Sequence, residues 1–283
     1  MTLKKVLTIA GYSLPVILHG IGIVLLYKAR GQLPNQRMVT LNLAVAEFLY
    51  CVSRIIFHAT NLSGTPTKLT YVLQYCFISL FFCVIRFAML HIIIDRFLDV
   101  WLNIKYQIYV NKKTLTKIII IVWIAGFVVG VGFILLEGFN VISRLPIMIT
   151  RLSVDFIIIV SAVSTFIYLF VKVQNVINGL STQQQRKNRL QMVWLRFKIP
   201  IMMVLTLILF NISSSLLWTI RDDSGKAKYY SYALALDLCG WCSDAFIYVF
   251  FQKRVRILLS SSFRRRDRNQ IEDSQISQIS QSI

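Results

Sequence analysis

Apolar segments of about 20 residues recur along this chain and restrict the folds that are open to it. A helix needs about 20 mostly apolar residues to cross the ~30 Å hydrocarbon core of a bilayer, where its backbone polar groups must pair within the segment. Seven such segments are present, at residues 10–27, 38–57, 73–94, 118–136, 154–171, 199–220 and 229–251. We therefore expect an all-α membrane protein, a seven-transmembrane helix bundle in a lipid bilayer.

Composition supports a membrane protein and argues against several other classes. Hydrophobic residues make up 56% of the 283 residues and charged residues 15%, whereas a soluble domain has roughly 25% charged residues. The net charge of +19 does not indicate a nucleic-acid partner, because the basic residues are spread between apolar segments. The cysteines and histidines lack metal-ligand spacing, and the chain has neither a phosphate-binding loop nor a nucleophile with its base. We therefore predict no metal site and no enzymatic activity.

The basic residues predict how the chain is oriented. If the amino terminus lies outside, most lysines and arginines of the loops lie in the cytoplasm, as the positive-inside rule requires. Residues 1–9 then form a short extracellular amino terminus, and residues 10–251 form the seven-transmembrane domain. Asn61, in the sequon formed with Leu62 and Ser63, is predicted to lie in an external loop as a glycosylation site.

The carboxyl-terminal part of the chain divides into two segments. Residues 252–263 place apolar side chains on one helical face and arginines on the other, which predicts a short amphipathic eighth helix on the membrane surface. Residues 264–283 are basic and then rich in Ser and Gln, which predicts a disordered cytoplasmic tail.

The most informative motif lies at the end of the third apolar segment, where residues 90–106 read LHIIIDRFLDVWLNIKY. Asp95, Arg96 and Phe97, followed by Ile104, resemble the end of the third span and the second cytoplasmic loop of rhodopsin-like (class A) G-protein-coupled receptors. Further stretches resemble the same family: LNLAVAE at residues 41–47, Trp123 in the fourth segment, and DAFIY at residues 244–248. The resemblance covers all seven segments and identifies no subfamily.

The resemblance implies a plasma-membrane receptor that binds an extracellular ligand and activates a heterotrimeric G protein. Asp95 would hold Arg96 at rest, and the freed arginine would pack against the G-protein α subunit. Ile104 matches the apolar loop residue that enters the G protein. Tyr168 and Tyr248 match tyrosines that stabilise the open state, although core packing explains them equally well. Serines in the tail, if phosphorylated, predict arrestin as a further partner; a plain solvated tail is the alternative.

Ionisable residues also lie inside the apolar segments, where a charge is costly unless it is paired. Glu47 and Asp244 should therefore face the bundle interior. The resemblance implies that they meet around water and an allosteric sodium ion, and the alternative is two neutral acids hydrogen-bonded in the packing. Arg86 lies near mid-membrane, and we expect it to form a buried ion pair with Asp155 or Asp237.

The chain departs from the family where receptors have a disulfide and proline hinges. No cysteine lies between residues 136 and 151 to form the usual external disulfide. Phe210, Asn211 and Ile212 stand where the sixth span usually has its tryptophan-proline element, so the hinge must differ or the motion must be smaller. No acid lies between residues 156 and 220 that could hold Arg96 from the sixth span, which predicts appreciable basal activity.

Two other functions are open alternatives. A transporter or channel could use the intramembrane Arg, Asp and Glu residues as an ion or proton path. A seven-span protein that does not couple to a G protein could act by dimerising with a partner. The Asp-Arg-Phe sequence at residues 95–97 favours the receptor.

Overall fold

The computed structural model describes residues 2–28, 34–63, 67–102, 105–138, 144–178, 183, 198–220, 229–250 and 255–257. Over these ranges the chain is almost entirely helical and contains no β-strand. The helices are α1 (Thr2–Lys28), α2 (Pro34–Ser63), α3 (Lys68–Leu102), α4 (Tyr106–Tyr109), α5 (Lys112–Gly138), α6 (Arg144–Asn178), α7 (residues 198–219) and α8 (Tyr230–Phe250).

Within the described ranges, six helices are long and apolar enough to cross a membrane: α1, α2, α3, α5, α6 and α7. α3 and α6 have 35 residues each, which corresponds to roughly 52 Å and exceeds the thickness of the hydrocarbon core. α8 has 21 residues but carries Asp237 and Asp244, and it is not among the six. The described residues thus form an all-helical protein of the multi-pass membrane type.

Several predicted boundaries differ from the observed ones, because helices continue beyond the apolar residues that define a span. α1 begins at Thr2, so most of the segment predicted as the extracellular amino terminus is helical. The prediction of a loop at Asn61 is wrong, because α2 continues to Ser63. In the predicted eighth helix only residues 255–257 are described, and they are helical. Ile104 and the predicted tail, residues 264–283, lie outside the described residues.

α3 lies at the centre of the bundle and packs against α2, α5 and α6. α1 packs against α2 and α8, and α7 packs against α8. Small and branched apolar side chains such as Leu43, Val84 and Ala88 fill the space between these helices and are fully buried. The outer face of α5 instead exposes Ile121 and Val128. A face of large apolar side chains is compatible with lipid and would be costly in water.

Two glycines of α5 allow its backbone to approach that of α3 closely. A Cβ atom at Gly130 would lie 2.7 Å from the Cα atom of Leu80, and one at Gly126 would lie 2.4 Å from Cγ2 of Val84. The two glycines are four residues apart and so share one helical face, as in the small-residue interfaces of membrane helices. The contact between α3 and α5 therefore depends on the absence of side chains at these positions.

α7 contains a π-helical turn at Leu207–Ile212. This turn includes Phe210 and Asn211, where the sequence lacks the expected tryptophan-proline element. The Oγ atom of Ser213 donates to the carbonyl of Ile208 at 3.4 Å, which satisfies one carbonyl of the widened turn. A π turn inserts one extra residue and is a recognised cause of helix bending. The sixth predicted span therefore has a local irregularity at a turn that contains no proline.

Candidate functional site

Arg96 lies at the carboxyl-terminal end of α3, between two carboxylates of the same helix. Its Nη2 atom donates to Oδ2 of Asp95, and its Nη1 atom lies 3.7 Å from Oδ2 of Asp99. Arg96 is 7% exposed, and both acids are buried. A buried guanidinium needs such partners, because its desolvation is otherwise uncompensated. The sequence predicted the contact with Asp95 and missed the one with Asp99.

Tyr106 connects the segment after α3 to this cluster. Its hydroxyl donates to Oδ1 of Asp95, so the two carboxylate oxygens of Asp95 accept from two different residues. Tyr106 is the first residue of the single-turn helix α4, which is closed by the bond from the amide of Val110 to the carbonyl of Tyr106 at 2.8 Å. The Asn111 side chain then caps α5 by accepting from the amide of Thr114 at 2.9 Å. The connection between α3 and α5 is therefore anchored on Asp95.

The aromatic residues predicted to belong to the switch are partly described. The rings of Phe97 and Tyr168 lie 5.6 Å apart, which joins the ends of α3 and α6. Phe97 also stacks on Trp101 at 6.0 Å. Tyr168 is otherwise 45% exposed. Tyr248 lies in α8, and the structure does not describe its side chain.

Arg86 forms a buried ion pair with Asp155 of α6. Its Nε atom lies 2.6 Å from Oδ1 of Asp155, and the two side chains are 2% and 1% exposed. The guanidinium also lies over the Phe82 ring, 4.5 Å from its centroid, a cation–π arrangement that adds attraction. Of the two acids that the sequence proposed as partners, Asp155 is the one that contacts Arg86.

Asp237 belongs to a different polar group. It accepts a hydrogen bond from the hydroxyl of Tyr12 at 2.6 Å, and Nε of Arg54 donates to that same hydroxyl at 3.2 Å. These contacts join α1, α2 and α8. Asp237 was predicted from the sequence as an intramembrane charge, whereas Tyr12 was not given a role, because a lone tyrosine in an apolar segment carries no signal of its own.

Glu47 and Asp244 are both fully buried, and each has its own neighbours. Glu47 lies against His19, with Oε2 3.5 Å from Nδ1. Asp244 accepts from the hydroxyl of Thr206 at 2.6 Å and is also within electrostatic range of Arg86. The described contacts do not join the two acids directly, and neither His19 nor Thr206 was predicted from the sequence as a partner.

The surroundings of Asp244 fit the chemistry of a hard cation in part. Within the described residues its Oδ2 atom has no hydrogen-bond partner. Carboxylate and hydroxyl oxygens are the donors that hard cations prefer. Arg86 places a positive charge nearby, which would repel a cation bound to the oxygens of Asp244 and Thr206.

Two other predicted residues have local partners. Trp123 donates from Nε1 to Oδ1 of Asn42 at 2.7 Å, which connects α5 to α2. The Asn61 amide donates to the carbonyl of Phe57 at 2.7 Å within the last turns of α2. A glycan would replace one of the two N–H hydrogens of this amide and leave the other for the hydrogen bond.

Among the described residues no three or more His, Cys, Asp or Glu side chains are grouped so that they could hold a metal ion. Polar residues instead form the cluster around Arg96 at the end of α3 and several pairs inside the bundle. No family model matches this chain, and no curated protein sequence matches it.

Proposed function

We propose that this chain is a rhodopsin-like G-protein-coupled receptor of the plasma membrane that binds an extracellular ligand and activates a heterotrimeric G protein. The observation that carries the proposal is the position of Arg96. It lies at the end of the central helix, its positive charge is balanced by Asp95 and Asp99, and Tyr106 fixes the orientation of Asp95. An arginine held in this way can leave these acids and form contacts with other groups.

The helical architecture supports the same proposal. In this proposal α8 is the seventh transmembrane span. Residues 255–257 belong to the amphipathic eighth helix. The amino terminus is outside, Asn61 is the proposed glycosylation site, and the α3 end that carries Arg96 faces the cytoplasm. Activation is then a population shift toward a state in which Arg96 leaves its acids and contacts the G protein.

The buried charges supply a second element of the proposed mechanism. Arg86 and Asp155 hold α3 against α6, and Asp244 and Thr206 join α8 to α7. A sodium ion, when bound, would add a positive charge at the Asp244 and Thr206 oxygens. A ligand that changes the packing of α6 or α7 would act on these contacts, and the π turn of α7 gives that helix a place to bend.

The decisive experiment measures basal G-protein activation in cells with a panel of α subunits, at matched surface levels. The variants are wild type, Arg96→Ala, and Arg256→Ala as a control that removes an exposed arginine. We expect basal activation by wild type and by Arg256→Ala, and its loss in Arg96→Ala. Activation that is equal in all three variants would contradict the role of Arg96.

A result without activation in any variant would count against the receptor proposal. Ion or proton flux in proteoliposomes that is lost in Arg86→Met would then favour the transporter or channel. Phosphorylation-dependent recruitment of arrestin to the tail is a separate readout, which a non-coupling membrane protein would lack.

A further inference from the structure

A cavity of about 250 Å³ opens between α3, α5 and the residue that follows α4. Its walls are mostly apolar and include Phe87, Leu90 and Ile94 of α3, Val110, and Ile118 and Ala125 of α5. Ile94 and Ile121 line the cavity and are also 46% and 62% exposed on the outer surface. The mouth therefore opens sideways, toward the face of the bundle that would meet lipid tails.

Two polar side chains interrupt the apolar wall, His91 and Asp95. His91 is 6% exposed, and no group among the described residues forms a hydrogen bond with its Nδ1 atom. A buried polar group without a partner costs about 1–3 kcal/mol. A molecule in the cavity that bonds to Nδ1 would remove this cost. Nothing in the cluster around Arg96 uses this nitrogen.

The two polar groups restrict the chemistry of the head group. Asp95 is already shared by Arg96 and Tyr106, and its carboxylate would repel an anionic head. An ammonium head suits only the tautomer in which Nδ1 of His91 accepts, and a carbonyl suits only the tautomer in which Nδ1 donates and cannot bond to the carboxylate. A hydroxyl both donates and accepts, so it complements either tautomer of His91, and when it accepts from Nδ1–H its own hydrogen can donate to Asp95.

The volume and the mouth restrict the rest of the molecule. A cavity of 250 Å³ is slightly smaller than the roughly 300–1,000 Å³ of a pocket that encloses a drug-sized ligand. A lipid can place its head and first carbons inside and leave the remainder in the bilayer. We propose that this cavity binds the hydroxyl head of a neutral lipid, either a monoacylglycerol or a sterol, which enters between Ile94 and Ile121 and bonds to His91. This binding does not depend on the proposed receptor function.

The test uses the full-length protein in phosphatidylcholine nanodiscs and three photoreactive diazirine probes: a monoacylglycerol, a sterol and a fatty acid. Labelled peptides are identified by mass spectrometry. We expect saturable labelling by one of the hydroxyl probes on peptides containing residues 87–98 and 118–125, with competition from the unlabelled lipid. Comparison of the monoacylglycerol probe with the sterol probe shows which of these two lipids binds. Labelling by neither, or equally strong labelling by the fatty acid, would overturn the proposal.

Two substitutions connect the labelling to the cavity. Ala125→Phe fills the space and should abolish saturable labelling, whereas Val128→Phe adds the same ring on the exposed face of α5, outside the cavity lining, and should leave it unchanged. His91→Leu should weaken binding about fivefold to tenfold, the scale of one hydrogen bond. If Ala125→Phe does not fold, as judged by thermal unfolding, Ile121→Trp narrows the mouth instead. Unchanged labelling in a folded cavity-filling variant would overturn the proposal.

Discussion

Arg86 of α3 and Asp155 of α6 form an ion pair with a separation of 2.6 Å that is almost completely sealed from solvent. Removing one partner leaves an uncompensated buried charge, which costs about 3–5 kcal/mol, whereas replacing both by apolar residues of similar volume is often neutral. We therefore expect Arg86→Met and Asp155→Leu each to lower the thermal unfolding midpoint of the purified protein. The double variant should recover most of the loss.

Asp237 provides the matched control for this comparison of single and double variants, because its partner is Tyr12 and not Arg86. Combining Arg86→Met with Asp237→Leu should give losses that add, as expected for independent sites. Recovery in the Asp237 combination, and none in the Asp155 combination, would show that Arg86 pairs with the other acid in the folded protein.

This ion pair shows how far the sequence alone can lead. An arginine inside an apolar segment needs an acid whatever the fold, so the existence of a pair is predictable from chemistry. The choice between Asp155 and Asp237 depends on how each helix is rotated about its axis and which helices are neighbours. Neither property can be read from one sequence. The apolar segments likewise predicted the helices, but not where they end.

The features that were not predicted from the sequence divide in a similar way. Asp99 lies three residues after Arg96 and therefore on the same face of a helix, so this partner could have been found from spacing. Thr206 and Tyr12 could not, because hydroxyl side chains are common in apolar segments and acquire a role only when an acid is placed opposite. The π turn of α7 could not be predicted either, because residues 207–212 contain no residue that marks such a turn.

The contact between α3 and α5 should be very sensitive to added volume at Gly130. A Cβ atom there would meet backbone atoms of Leu80 at 2.7 and 2.8 Å, and a backbone cannot move aside as a flexible side chain can. We expect Gly130→Ala to destabilise the protein by about 1–3 kcal/mol, the usual cost of overpacking. Thermal unfolding in detergent measures the effect.

Gly132 is the control for this substitution. A Cβ atom at Gly132 meets nothing within 4 Å, and alanine has a higher helix propensity than glycine by up to about 1 kcal/mol. Gly132→Ala should therefore be neutral or slightly stabilising. Similar losses at both positions would indicate that an effect other than the approach of α3, such as contact with lipid, decides the outcome.

The π turn in α7 should matter more for signalling than for folding. Deleting Leu209, an exposed residue within the turn, can convert it to a regular α-helix while the residues on both sides keep their faces. In the proposed receptor we expect the deletion variant to reach the surface and unfold at a similar temperature, with reduced G-protein activation. Leu209→Ala changes the same residue without shortening the helix and should signal normally. Full signalling by the deletion variant would show that the turn is not the hinge.

Asp99 should restrain Arg96 in the resting state of the proposed receptor. Its Oδ2 atom lies 3.7 Å from Nη1 of Arg96, and Asp99→Asn removes the charge at almost constant shape. A loss of about 1 kcal/mol, the scale of a single polar contact, corresponds to about a fivefold shift toward the released arginine. Basal G-protein activation should rise accordingly. In an Arg96→Ala background the same substitution should have no effect, because the charge that Asp99 balances is then absent. An equal rise in both backgrounds would show that Asp99 acts through another contact.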